Sequence, residues 1–315
     1  MTYLQLTAGL VLLLASGEFL VRGAVGVARA VGISPLFIGL TLVGFGTSAP
    51  ELVASLIAAF REAPGIAVGN VVGSNIANIL LILGATAAIA PIAVVRQEFH
   101  RDALALAVAT VIGVAVILLG RLDRAYGVAM IALLSGYIAL TYVTEKRTHD
   151  AEAVMHEQEA ALHTPRAAGP WRPLSIAAAA LAGVVLGARL LVDASIVLAR
   201  EFGVSESVIG LTIVAVGTSL PELAVSAIAA LRGQGSVAVG NIVGSNIYNL
   251  LFILGATALV HPIAVPVEIA GFDAWVMAGI TALLLVAMLR GRTIGRGTGG
   301  MLLAAYGCYC WVTMT

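Results

Sequence analysis

The 315-residue chain is poor in charged side chains and in cysteine. Charged residues make up 11% of it, and seventeen basic side chains balance seventeen acidic ones, so its formal net charge is zero. A neutral chain has no overall attraction for nucleic acid, which is therefore not predicted as a partner. The two cysteines, Cys308 and Cys310, are separated by one residue and so lie on different sides of a helix. This spacing favours neither a disulfide framework nor a cysteine metal site.

Motifs that would drive chemistry are also missing. The sequence contains no GxxxxGK[ST] loop and no HExxH, so an ATP-driven pump and a zinc hydrolase are not predicted. A hydrolase that used Ser48 or Ser219 would need an activating base, and no histidine lies near either serine in sequence. We expect a protein that is not an enzyme and that needs no cofactor and no obligatory protein partner.

Apolar residues, by contrast, make up 60% of the chain, and its mean hydropathy is +1.03. Several long runs carry no charge at all, which predicts a polytopic protein of the lipid bilayer. A polar stretch at 145–172 separates two groups of five apolar segments. The ten predicted spans are centred on 3–31, 36–60, 65–92, 103–120, 125–144, 174–202, 208–231, 236–265, 274–289 and 297–312.

The two groups of spans are copies of one design. The sextet GTSAPE at 46–51 recurs as GTSLPE at 217–222, and the block GNVVGSNIANILLILG from Gly69 recurs in the same register, without a gap, from Gly240. Because each copy has an odd number of spans, the second must enter the membrane inverted. We therefore predict an all-α membrane protein with ten transmembrane helices in two inverted five-helix repeats, 1–144 and 173–315, joined by a linker at 145–172.

The basic residues at span ends predict how the protein is oriented. Eleven of them fall on the side of the linker and four on the other side. Positive residues are enriched in cytoplasmic loops. The N-terminus is therefore predicted outside and the linker 145–172 in the cytoplasm.

Each sextet combines a helix break with a carboxylate. Pro50 cannot donate a hydrogen bond to the carbonyl of Gly46, and Pro221 has the same effect later in the chain, so each helix should break there. Irregular backbone at membrane depth is tolerated only inside protein or beside a water-filled cavity. Glu51 and Glu222 follow these breaks, and a carboxylate in a membrane span indicates an ion pathway by default.

Oxygen-bearing side chains predominate around the two glutamates. In the second duplicated block, Ser74 and Asn78 are spaced to share a helix face, as are Ser245 and Asn249. A flexible, all-oxygen set of ligands suits Ca2+, and the same hard oxygens suit Na+. The candidate donors are the side chains of Glu51, Glu222, Ser48, Ser219, Ser74, Ser245, Asn78 and Asn249, with backbone carbonyls near Thr47 and Thr218.

The paired GTSxPE and GNxxGSNxxN blocks resemble the two alpha repeats of the Ca2+/cation antiporter superfamily, in its sodium/calcium exchanger branch. The resemblance spans nearly the whole chain. It implies an antiporter of a prokaryotic-type inner membrane, with Glu51 and Glu222 as ligands shared by Ca2+ and Na+. It also implies that carbonyls of Thr47 and Thr218 serve Ca2+. For Na+ it implies an outer position at Ser48, Ser219 and the Ala215 carbonyl, and an inner position at Ser74 and the Gly44 carbonyl.

One position departs from that branch, where many members carry Asp in the second repeat and this chain has Asn249. The site then holds two formal negative charges, which balance one Ca2+, two Na+ or two H+. A Ca2+/H+ antiporter that uses the same two glutamates therefore remains the alternative to Ca2+/Na+ exchange, and a Ca2+ channel is a further rival.

Two further charge pairs occupy matched positions in the first and sixth spans. Glu18 and Arg22 stand at i,i+4 spacing, and so do Arg189 and Asp193 with the signs reversed. Residues at this spacing meet on one face of a helix. We expect structural ion pairs near the membrane boundary.

Overall fold

The computed structural model describes residues 2–30, 47–92, 96–149, 171–231, 233, 235–291 and 293–314. These residues are almost entirely helical. The helices in chain order are α1 (Thr2–Ala30), α2 (Ala49–Phe60), α3 (Pro64–Ile89), α4 (Arg96–Leu118), α5 (Arg124–His149), α6 (Trp171–Phe202), α7 (Glu206–Thr218), α8 (Leu220–Leu231), α9 (235–260), α10 (Ile269–Arg290) and α11 (Arg296–Met314).

Seven helices in the described part of the chain are long and apolar enough to cross a membrane: α1, α3, α4, α5, α6, α9 and α10. An eighth span forms if α7 and α8, which meet at a bend of 47°, are counted as one. The chain is therefore an integral membrane protein. The second predicted span is described only from residue 47, and α2 is its apolar second part. Most of the predicted linker, residues 150–170, lies outside the described residues.

Equivalent helices of the two halves carry the same local irregularity. A single π-helical turn, Asn78–Ile82, interrupts α3, and a second one, Asn249–Ile253, interrupts α9. Both turns begin at the last Asn of the GSNxxN block, so they occupy equivalent positions of the two halves. Single π turns inside α-helices occur frequently at functional sites. The sequence did not predict them, because no residue type forces a π turn.

The longest helices, α1 and α6, pack along each other. Gly9 and Gly187 face one another across the crossing: a Cβ on Gly9 would lie 2.7 Å from the Leu191 nitrogen, and one on Gly187 would lie 2.7 Å from the Leu13 nitrogen. Glycine at such positions lets two helix backbones approach closely inside a membrane.

Short antiparallel contacts tie the loops of the two halves together. The strands β1 (Arg121–Leu122) and β2 (Ile263–Ala264) pair with Arg121 opposite Ala264. Ile92 and Ile294 form a separate antiparallel bridge. Loops from both halves therefore satisfy some of each other's backbone hydrogen bonds, which holds the halves together outside the helical bundle.

The predicted ion pairs on α1 and α6 are confirmed. Arg22 Nε lies 2.6 Å from Glu18 Oε1, and Arg189 Nε lies 3.8 Å from Asp193 Oδ2. Asp193 is also contacted at 3.0 Å by Arg61, which follows α2. On α6 the pair thus belongs to a larger charged group, formed with Arg61, that links α6 to the end of α2.

The packing of α3 against α7 yields a test of stability. A Cβ on Gly73 would lie 2.5 Å from the Leu211 carbonyl oxygen, whereas a Cβ on Gly279, an exposed residue of α10, meets none of the described residues within 4 Å. Overpacking of this kind typically costs about 1–3 kcal/mol. We expect Gly73→Ala to lower the thermal unfolding midpoint in detergent and Gly279→Ala not to lower it. Equal midpoints for the two variants would contradict this close contact.

Candidate cation-binding site

Both GTSxPE sextets form the start of a helix at the centre of the protein. Ser48 (φ −89°, ψ 5°) precedes α2, and Ser219 (φ −86°, ψ 7°) separates α7 from α8, so the two serines adopt the same conformation. The proline follows shortly after the serine in each copy, within the first turn, where its missing N–H costs no helical hydrogen bond. The break predicted at the second sextet is confirmed by the 47° bend. At the first sextet, the residues before Thr47, Gly46 among them, lie outside the described residues.

Glu51 and Glu222 occupy the first turns of α2 and α8, and each is only 1% exposed. The amino end of a helix carries partial positive charge, which favours a carboxylate. Two carboxylates are therefore buried in the interior of a membrane protein. A charged side chain at that depth costs about 2.5–3.5 kcal/mol on insertion scales.

Each glutamate is contacted by a serine from the opposite repeat. Ser219 Oγ donates to Glu51 Oε1 at 3.0 Å, and Ser48 Oγ donates to Glu222 Oε1 at 3.3 Å. The side chain of Thr47 also interacts with Glu222. These crossed contacts bring Glu51, Glu222, Ser48, Ser219 and Thr47 into one cluster. Neither half of the chain could build this cluster alone.

The second oxygen of each carboxylate is buried and has no hydrogen-bond partner among the described residues. Among the described residues, Glu51 Oε2 and Glu222 Oε2 accept no hydrogen bond. Buried carboxylate oxygens are normally paired or bound to a metal ion. A cation bound between the two helix breaks would require such unsatisfied oxygens as ligands.

The two asparagines at the π turns lie in the same buried region and differ from each other. Asn78 Nδ2 donates to Asn246 Oδ1 at 2.9 Å, which leaves Asn78 Oδ1 without a partner in the described structure. Asn249 is 1% exposed, and neither of its amide atoms has a partner among the described residues. Its oxygen is free to accept and its N–H2 group to donate, so Asn249 suits either a cation or a water molecule that hydrates one.

The two serines of the GSN blocks are not in equivalent positions. Ser245 Oγ donates to Glu222 Oε1 at 3.3 Å, whereas Ser74 Oγ donates to the Ala215 carbonyl at 3.5 Å. The family resemblance implied that the Ala215 carbonyl shares a Na+ position with Ser48 and Ser219, and it did not predict the contact of this carbonyl with Ser74. Ser74 thus crosses to the opposite repeat, as Ser48 and Ser219 do. Gly44, with which Ser74 was grouped, lies outside the described residues.

Thr218 and Ala215 complete the break on the α7 side. Thr218 is fully buried, and its hydroxyl lies 3.1 Å from the Val214 carbonyl, 3.3 Å from the Ala215 carbonyl and 3.1 Å from Asn70 Oδ1. The Ala215 carbonyl also accepts from the Ser219 backbone N–H at 3.1 Å. Its oxygen is thus shared by several donors, which holds it at the bend.

Sequence reasoning missed two residues that hold the glutamates in place. Asn70 Nδ2 donates to the Glu51 carbonyl at 3.1 Å and to Ser55 Oγ at 2.9 Å. Asn241 makes the same two contacts, to the Glu222 carbonyl at 3.3 Å and to Ser226 Oγ at 3.0 Å. Both asparagines belong to the duplicated GN pair that opens the second block. Their duplication beside the duplicated glutamates was the signal that could have identified them.

The donor set of this cluster is made of hard ligands. Carboxylate, hydroxyl, amide and carbonyl oxygens surround the two helix breaks, and within the described ranges no group of three or more His, Cys, Asp or Glu side chains could hold a metal. Oxygen ligands in flexible geometry suit Ca2+ and Na+, whereas imidazole and thiolate suit transition metals. The two negative charges of the cluster can therefore neutralise a hard cation.

Comparisons with known proteins identify the family of the chain. The profile described as "Sodium/calcium exchanger protein" matches residues 1–143 and 173–315, almost the whole of both halves. The chain belongs to the sodium/calcium exchanger family. This exchanger is 34% identical to the sodium/calcium exchanger MaX1 of Methanosarcina acetivorans, with 96% of each chain covered. It is 35% identical to the inner membrane protein YrbG of Escherichia coli, with 98% of this chain and 95% of YrbG covered.

A solved structure shares the fold of the exchanger. The sodium-calcium exchanger NCX_Mj, soaked with 100 mM Na+ and 10 mM Sr2+, superposes with a TM-score of 0.67 at 31% identity, and 98% of each chain is covered. The similarity thus extends over both halves of the chain. The family resemblance inferred from the paired blocks is confirmed.

The contacts of Asn70 generate a test of how the exchanger holds Glu51. Asn70→Ala removes two donors and one acceptor from a fully buried position, and a buried polar group left unsatisfied costs about 1–3 kcal/mol. We expect a lower thermal midpoint in detergent together with weaker stabilisation by added Ca2+. The control is Asn241→Ala, which loses the two equivalent donor contacts at a half-buried position. An unchanged thermal midpoint in Asn70→Ala would contradict the role of these contacts.

Proposed function

We propose that the exchanger moves Ca2+ across the membrane in exchange for Na+ by alternating access, with Glu51 and Glu222 as the ligands common to both ions. The observation that carries this proposal is the pair of unsatisfied oxygens, Glu51 Oε2 and Glu222 Oε2, on carboxylates that are 1% exposed. A bound cation is the group that would satisfy both. The similarity to MaX1 and NCX_Mj, each named a sodium/calcium exchanger, supports the choice of ions.

The remaining predicted ligands are assigned by their contacts. The hydroxyls of Ser48 and Ser219 touch the carboxylates and would bind Na+ beside them. Ser74 and the Ala215 carbonyl, 3.5 Å apart, form a second Na+ position. By the symmetry of the repeats, Ser245 and the carbonyl of Gly44 would form the equivalent Na+ position on the other side of the site. The carbonyls of Thr47 and Thr218 are proposed for Ca2+, and the amide oxygens of Asn78 and Asn249 for the centre of the site.

We further propose that ten transmembrane helices form two inverted repeats, residues 1–144 and 173–315, with the linker 145–172 in the cytoplasm. The recurrence of the same contacts at matched positions supports two equivalent halves. Asn70 and Asn241 hold their glutamates in the same way, and the π turns begin at equivalent asparagines. The membrane is proposed to be a prokaryotic inner membrane, as the name of the relative YrbG suggests. The N-terminus would then face outward.

Charge explains why such a site would exchange ions rather than leak them. With both glutamates ionised, the empty site carries two negative charges in a medium of low dielectric, which is costly. Binding of one Ca2+ or two Na+ neutralises it. The passage between inward- and outward-facing states is then favourable only when the site is loaded, because the loaded site alone avoids the cost of a buried net charge. After the site has carried one ion across the membrane, it must therefore return with another ion bound.

We expect Glu51→Gln and Glu222→Gln to abolish exchange. Gln keeps the shape of the side chain but removes the charge that neutralises the cation. Uptake of 45Ca2+ into proteoliposomes under an outward Na+ gradient should fall to the level of protein-free liposomes. Without added ions, the thermal midpoint of each variant should not fall, because the substitution removes the cost of burying a charge. Bound Ca2+ raises the thermal midpoint of the wild type, and this rise should disappear in the variants.

The control for these variants is Glu201→Gln at the end of α6, where the side chain is exposed. This variant should transport like the wild type. Uptake close to wild type in Glu51→Gln or Glu222→Gln would contradict the proposed role of the glutamates.

The counter-ion is identified by imposing one gradient at a time. Wild-type proteoliposomes should accumulate 45Ca2+ against an opposing Na+ gradient and not without a gradient. Accumulation driven by a pH gradient alone would instead identify a Ca2+/H+ antiporter that uses the same two carboxylates. Rapid uptake with no counter-ion at all would identify a channel.

A further inference from the structure

A cavity of about 320 Å3 lies between α1 and α8 and reaches the cation site. Its lining includes Glu18 of α1 and Thr47, the residue whose side chain interacts with Glu222. These are the polar side chains among the described lining residues, which otherwise are apolar, with Leu14, Val225 and Ile228 among them. The cavity therefore connects one carboxylate outside the site to a residue of the site.

Glu18 lies close to the end of a membrane span. The apolar window of α1 that could cross a membrane is Thr2–Leu20, so Glu18 and its partner Arg22 lie at its boundary. Their side chains are 60% and 68% exposed, whereas Thr47 is 6% exposed. The cavity thus leads from the membrane boundary to the buried site.

The equivalent side of the other repeat is closed more tightly. Leu220 and Pro221 line the cavity and are half-buried, whereas their counterparts Ala49 and Pro50 are buried. The residue that corresponds to Thr47 is Thr218, which is fully buried. The cation site is therefore covered where α2 begins and borders a cavity where α8 begins. This is the asymmetry of a carrier that faces one side of the membrane.

The charges at the two equivalent positions also differ. The position that holds Glu18 in the first repeat holds Arg189 in the second, and Arg189 faces Asp193 at 3.8 Å. A carboxylate at the mouth of a cleft raises the local concentration of cations, and an arginine lowers it. Glu18 is the one charged side chain among the described residues that line the cavity beside α1, so this cavity is suited to attract a cation.

We propose that this cavity is an aqueous access path for the transported cation, and that Glu18 is the carboxylate that recruits the cation at its mouth. The proposal rests on the proposed function and adds a path and a residue outside the ligand set. Aliphatic walls offer no competing ligands, so a hydrated cation passes them without being held. Arg22, 2.6 Å from Glu18, offsets its charge until a cation arrives, which keeps binding at the mouth weak. In the predicted orientation the path opens to the cytoplasm.

The path is tested by the accessibility of Ala224, an exposed residue of α8 that lines the cavity. Ala224→Cys is made in a Cys308→Ser, Cys310→Ser background and reconstituted as the full chain. We expect a charged, membrane-impermeant methanethiosulfonate to inhibit Ca2+ uptake from one face only, in inverted but not right-side-out vesicles. The control is Leu283→Cys on α10, which is 69% exposed and does not line this cavity. Only the thiolate reacts with these reagents, and hydrocarbon keeps a thiol protonated, so Leu283→Cys should react neither with the charged reagent nor with N-ethylmaleimide.

A failure of Ala224→Cys to react with the charged reagent from either face would mean that lipid fills the cavity, and it would overturn the proposal. Failure of the proposed function gives a different result, because the wild type would then show no Na+-driven uptake at all. If the charged reagent inhibited uptake in right-side-out vesicles instead, the access route would still be supported and the predicted orientation would be reversed.

The recruiting role is tested by Glu18→Gln. We expect the KM for Ca2+ at the face where the cavity opens to rise by up to about tenfold, the lower end of electrostatic focusing effects, with maximal flux and the KM at the other face unchanged. The rise should shrink at high ionic strength, because salt screens exposed charges. Glu201→Gln should change neither KM. An unchanged KM in Glu18→Gln, or an equal rise at both faces, would refute recruitment by this carboxylate.

Discussion

Two carboxylates buried in a membrane interior impose the constraint on which the rest of this structure depends. Glu51 and Glu222 are each 1% exposed, and an ionised group at that depth is stable only with charge partners and hydrogen bonds. The protein itself provides part of this stabilisation. Hydroxyls hold one oxygen of each carboxylate, and the helix amino ends supply partial positive charge. The remaining deficit is a positive charge, which the cargo would bring.

Because the helix breaks lie at matched positions, the site exists only between the two halves of the chain. Ser48 holds Glu222, and Ser219 holds Glu51. Any relative movement of the repeats must change these crossed contacts, so binding at the glutamates and movement of the repeats are energetically coupled. Ser245 contacts Glu222 whereas Ser74 contacts the Ala215 carbonyl, which is what one of two such arrangements would show. In a second arrangement related by the repeat, Ser74 would reach Glu51.

The sequence predicted those features that depend on local chemistry. Hydropathy located the seven apolar spans found in the described part of the chain, proline located the bend after Thr218, and carboxylates in apolar runs indicated the candidate site. It could not predict features that depend on packing between the repeats. The contact of Ser74 with the Ala215 carbonyl was not foreseen, because only the packing of α3 on α7 decides which carbonyl a buried serine reaches. Asn70 was missed because a buried asparagine beside a glycine looks like a helix contact until its partners on α2 and α7 are known.

At the proposed site, the neutral residue Asn249 would influence how Ca2+ and Na+ are distinguished. With only two carboxylates at the centre, Ca2+ and a pair of Na+ are matched equally well in charge. Selectivity must then come from the number and flexibility of neutral oxygens, because Ca2+ accepts roughly six to eight ligands. Asn249 keeps both amide atoms without partners in the described structure, so it can turn either its oxygen or its N–H2 group toward the centre. A residue with that freedom can contact a cation directly in one state and hold its hydrating water in another, which an acidic side chain, lacking a donor when ionised, could not do.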